Sequence, residues 1–131
     1  MQNRTIWLAL SALAGFLAVG IPYWRIPYDS VNANLPDALL QPGLFLVGAL
    51  ALLLCLFGIA SFWRSTWWMT SSVVAAVFIR IVFGVIQDPT SHNLWPLEVI
   101  IALVVGLAAA IPGAGVGSLL ARGFADSRTR R

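Results

Sequence analysis

From Gly43 to Trp63 the chain reads GLFLVGALALLLCLFGIASFW, 21 residues without a charged side chain. A helix of about 20 apolar residues spans the ~30 Å hydrocarbon core of a bilayer. Inside hydrocarbon every backbone polar group needs an internal partner, which leaves helices and closed barrels as spanning structures. Three more apolar runs accompany this one, giving expected spans at about 5–22, 43–63, 67–87 and 96–121. The sequence therefore predicts an all-α integral membrane protein: four transmembrane helices in an up-down bundle, one domain over residues 1–131. Residues 122–131 are expected to form a flexible cytoplasmic tail. Composition agrees, because only 10% of residues are charged, whereas a soluble domain is about one quarter charged.

The first run has an alternative reading. Arg4, the stretch IWLALSALAGFLAVG and the small residues Ala18 and Gly20 have the form of a cleavable secretory signal. Pro22 would fall almost directly after the cut, so a retained span is the favoured expectation.

Arginine placement gives the direction. Every basic residue is an arginine, and Arg4, Arg64, Arg122, Arg128, Arg130 and Arg131 fall on one side of such a bundle. Cytoplasmic connections carry an excess of this kind. The other side sets Arg25 against Asp29, Asp37 and Asp88. Both termini are thus expected in the cytoplasm, and the Arg-only, Ala/Gly/Leu-rich composition points to a bacterial inner membrane. The net charge of +3 is no nucleic-acid footprint, since the arginines are scattered or gathered at the tail. Cys55 is alone and cannot form an intramolecular disulfide; it reads as a small hydrophobe.

Aromatic residues cluster where the spans end. Tyr23, Trp24 and Tyr28 follow the first, Trp63, Trp67 and Trp68 surround Arg64, and Trp95 precedes the fourth. All seven are expected at headgroup level. Pro22 and Pro27 should stop the first helix, and Arg64–Thr66 should be the turn between the second and third. In NLPDALLQ, Asn34 and Pro36 fit the start of a short interfacial helix, read as an anchor rather than a lid.

Small residues recur along the fourth span. Ala102, Gly106, Ala110, Ala114 and Ser118 repeat every four residues, and Ala109, Gly113 and Gly117 form an adjacent stripe. Helices in lipid associate by close approach along such faces. Packing within one bundle and packing between subunits fit equally. IPGAGVG lacks the Lys-Ser/Thr and the preceding strand of a phosphate loop; Pro112 beside Gly113 should kink or end the helix instead.

One charge stands inside a span. Arg80 is eight residues from Asp88, roughly 12 Å of helix. An arginine at mid-membrane costs at least ~2.5 kcal/mol without a partner. Glu98, near the start of the next span, is the expected partner, with Asp88 and His92 completing a polar cluster. Glu98 also fits a first-turn acid on the helix dipole, and a structural and a functional Arg80 are equally compatible with the pattern. A single histidine with two acids is a poor metal site, and no metal or other cofactor is expected.

Three functions fit. The favoured one is a non-catalytic accessory, assembly or scaffold subunit of a larger membrane complex, whose partners are the lipid bilayer and another membrane protein or further copies of itself. The second is a small homo-oligomeric transporter or channel using Arg80. The third is an outer-leaflet enzyme acting on lipid headgroups through Asp88, His92 and Glu98, which lacks a nucleophile or a metal set.

Overall fold

In a computed structural model the described residues are 2–26, 40–87 and 94–129. Among them the chain forms four helices: α1 (Gln2–Arg25), α2 (Pro42–Leu56), α3 (Phe62–Gln87) and α4 (Trp95–Thr129). α1, α3 and α4 are long and apolar enough to cross a membrane, whereas α2 is shorter. Its 15 residues rise about 22 Å, less than a hydrocarbon core.

α2 stops early because of one glycine. Gly58 has φ +63, a conformation that costs other residues a clash of their Cβ. It stands just past the helix end, where Gly58 N–H donates to the Cys55 carbonyl and Ile59 N–H to the Leu54 carbonyl, at 3.1 and 3.0 Å. This paired pattern satisfies the last carbonyls of a helix. The break falls inside the uncharged run, so the expected second span to Trp63 contains a helix end at Leu56. Arg64, Ser65 and Thr66, expected as the turn, lie in the first turn and a half of α3.

Two prolines do not end their helices. α1 continues through Pro22 to Arg25, and α4 through Pro112 to Thr129. Each proline deprives the carbonyl four residues earlier of its helical donor. For Ala18 the gap is covered by Gly43 of α2, whose Cα presses against that carbonyl so closely that a Cβ would overlap it. The stretch beyond Ala121, expected as a flexible tail, is helical to Thr129.

Packing fixes the arrangement. α2 packs most extensively on α4 and α3 on α4, followed by α1 on α3 and α1 on α2. The order around the bundle is therefore α1–α2–α4–α3. Gly15 of α1 meets Met69 and Ser72 of α3 as well as Val47 of α2. Gly48 and Leu52 of α2 lie against Gly113 and Gly117 of α4, so these two helices run parallel. α3 and α4 run antiparallel, with Thr70 against Gly106 and Phe62 near Gly115. Successive helices alternate in direction, yet two of the four neighbouring pairs are parallel.

The two small-residue stripes of α4 serve different partners. Ala102, Ala110 and Ala114 are fully buried and, with Gly106 against Thr70, face the core beside α3. Gly113 and Gly117 meet the backbone of α2.

Candidate functional site

α3 buries one face along its whole length: Ser65, Met69, Val73, Ala76, Val77, Arg80 and Gly84 follow one another at helical spacing. Arg80 belongs to that face by position, and is only 6% exposed. What it meets is the end of α1. Its Nη1 donates to the Tyr23 carbonyl and its Nη2 to the Ile26 carbonyl at 2.6 Å. The guanidinium carbon lies 4.5 Å from the centroid of the Tyr23 ring.

These partners suit a cation. The last carbonyls of a helix lack intrahelical donors and carry the negative end of the helix dipole. The face of a tyrosine ring attracts a cation as well, and more so away from water. The planar fork of an arginine can address two carbonyls at once, which a lysine ammonium on a single flexible stem does less well. α1 answers with a bond of its own: Trp24 Nε1 donates to the Ala76 carbonyl at 3.0 Å. Phe16 supports that indole edge-on, with centroids 5.3 Å apart. The ends of α1 and α3 are thus strapped together by reciprocal side-chain to backbone hydrogen bonds.

Tyr23, expected as a ring at headgroup level, is 1% exposed within the bundle and lies beneath Arg80. The reason is that α1 does not stop at Pro22, so Tyr23 falls one turn beyond buried Val19, on the same face as Leu8 and Gly15. Trp24 keeps an exposed side while its nitrogen is held by α3. Trp63, Trp67, Trp68 and Trp95 are exposed. Tyr28, Asp88 and His92 lie outside the described residues, as does most of the segment expected as an interfacial helix. Glu98 stands half-buried in the first turn of α4. Among the described residues no group of His, Cys, Asp and Glu could hold a metal ion.

Sequence reasoning missed the two carbonyls that receive Arg80, since every residue carries a carbonyl and none announces itself. It also missed Gly43 and Gly48, the counterparts of Ala18 and Gly113, although a glycine pair in an apolar helix was a readable signal. A groove of about 590 Å³ runs along the outer junction of α2 and α4, lined by Leu44, Phe45, Ala49, Ala108, Pro112 and Val116 among others. Comparison with protein-family models, with curated proteins and with solved structures gives no match.

Proposed function

We propose that the chain is a four-span protein of a bacterial inner membrane, with both termini cytoplasmic, and acts as a non-catalytic accessory or assembly subunit. The α2–α4 groove carries this reading. Small Gly48, Ala49, Ala108 and Ala109 line it together with bulkier Leu44, Phe45 and Val116. Pro112 removes the helical donor of the Ala108 carbonyl, and both residues line the groove. In hydrocarbon such a carbonyl favours a neighbour that approaches closely or donates to it. A partner helix with small or hydroxyl-bearing residues supplies both. Gly106 and Gly117 are engaged inside the bundle, whereas Gly113, packed on Gly48, also lines the groove, so small residues remain on this outer face for a subunit contact.

Arg80 supports the same reading, because its bonds to Tyr23 and Ile26 make it a clamp within the bundle. The short α2 is compatible with a crossing, since the turn after it bonds its own N–H groups at Phe57, Gly58, Ile59 and Ala60.

Filling the groove tests the idea. Ala108→Trp and Ala49→Trp should leave the bundle folded and release a stoichiometric larger partner that co-purifies with the wild-type protein from native membranes. A partner retained by both variants, or purification of the wild type as a homo-oligomer alone, would overturn it; the second result favours the transporter. Orientation is tested separately, by cysteines placed at Asn32 and Thr129 with Cys55 replaced by alanine. They should label from opposite sides of the membrane, and labelling from one side refutes the four-span topology.

A further inference from the structure

We propose that the start of α3 forms a binding site for an anionic phospholipid of the cytoplasmic leaflet; this rests on the membrane orientation above. Arg64, Trp67, Trp68 and Ser71 line a surface notch of about 400 Å³. Their spacing of three, four and seven residues puts them on one helical stripe. That stripe is exposed, whereas Ser65, Thr66, Met69 and Thr70 between them are buried. The notch therefore opens to whatever surrounds the bundle.

Its chemistry grades from charged to apolar along the helix. Arg64 lies at the start of α3, where its fork fits two oxygens of a phosphate. Trp67 and Trp68, 53% and 40% exposed, offer ring faces to the glycerol region and the first methylenes, and indole N–H groups to ester oxygens. Ser71 closes the notch with its hydroxyl already donated to the Trp68 carbonyl at 2.8 Å. A free phosphate ion would gain nothing from the two rings, so the occupant is a lipid. Charge selects its headgroup. Arg4 and Arg122, both exposed, stand at the same end of the bundle, and the sequence continues with three more arginines against Asp126 alone. A headgroup without an ammonium is favoured there.

Native mass spectrometry of the protein in neutral micelles, titrated with phosphatidylglycerol or with phosphatidylcholine of the same chains, tests the site without depending on topology. One phosphatidylglycerol should bind roughly five-fold more tightly than phosphatidylcholine, the preference one arginine gives near an anionic lipid. Arg64→Gln should abolish the preference, Arg64→Lys should keep most of it, and Trp67→Leu should weaken both lipids alike. Arg25→Gln, exposed at the opposite end of the bundle, should leave it intact. Equal affinity for the two lipids in the wild type, a preference that survives Arg64→Gln, or an equal loss in Arg25→Gln would overturn the proposal. Displacement of the lipid by inorganic phosphate would show an anion site instead, and a cytoplasmic acidic protein bound through Arg64 in place of lipid would refute it too.

Discussion

Gly113→Ala should destabilise the bundle by about 2–4 kcal/mol, although alanine is the better helix former by ~1 kcal/mol. A Cβ at position 113 would overlap the carbonyl of Gly48, with the Gly48 Cα at 3.0 Å. These are backbone atoms, so no side-chain rotation relieves the clash. α2 would have to withdraw from α4 along the most extensive seam of the fold. Lipid tails, no more polar than the helices, would not restore the close-packed dispersion attraction that the withdrawal forfeits. Gly117→Ala should behave alike, because its Cβ would meet the Leu52 backbone. Gly106→Ala should be milder, since the nearest atom, Cγ2 of Thr70, is at 3.1 Å and belongs to a side chain. Gly115→Ala and Gly123→Ala supply the contrast. The first meets only the Phe62 ring edge at 4.0 Å and the second meets nothing within 4 Å, so both should be neutral or stabilising by up to about 1 kcal/mol. Reversible unfolding in mixed micelles gives the order, and equal responses at 113 and 115 would refute the seam.

Arg80→Met should cost about 3 kcal/mol, because it removes charge-assisted bonds to two carbonyls and the stacking on the Tyr23 ring. Arg80→Lys should recover only part of this, having no fork to reach both carbonyls. Selective exposure of the α1 end, read as faster hydrogen exchange around Tyr23 and Trp24, should accompany the loss. Unchanged exchange there would argue against the clamp.

Glu98 enters the same experiment as a proposed counter-charge. Thr70 of α3 lies against Gly106 of α4 in an antiparallel pair. Continuing that register ten residues toward the end of α3 brings Arg80 level with about residue 96, within roughly 3 Å of rise from Glu98. If the two charges pair in a buried setting, Glu98→Gln alone should cost ~3–5 kcal/mol. On the Arg80→Met background it should restore some of the lost stability, because no buried charge is then left uncompensated. The recovery stays partial, since the Tyr23 and Ile26 carbonyls still lack their donor. Additive losses in the double variant would refute the pairing and leave the carbonyl clamp as the whole account of Arg80.

The sequence by itself determined the class of fold, for a reason that needs no tertiary information. Long uncharged runs can satisfy their backbone in an apolar surrounding only as helices or closed barrels, and helical small-residue spacing in 102–118 settles which. It also marked Arg80 as a residue that must be met inside the bundle, because the cost of a lone buried charge does not depend on the fold. Tertiary structure decided the rest. Hydropathy is summed over some twenty residues and cannot register a single dihedral, so the end of α2 at Gly58 was invisible within an unbroken apolar run. Pro22 should have ended α1 by local rules, yet the helix passes through it, with Gly43 from another helix pressed against the freed carbonyl. That extension by three residues places Tyr23 on the buried face of α1, beneath Arg80. The stripes of α4 were legible as stripes, but their assignment to α3 and α2 depends on the order α1–α2–α4–α3. Small faces on a helix specify how closely a neighbour can come; which neighbour arrives is fixed by the facing glycines of α2 and by a clamp made of backbone carbonyls, which no residue letter encodes.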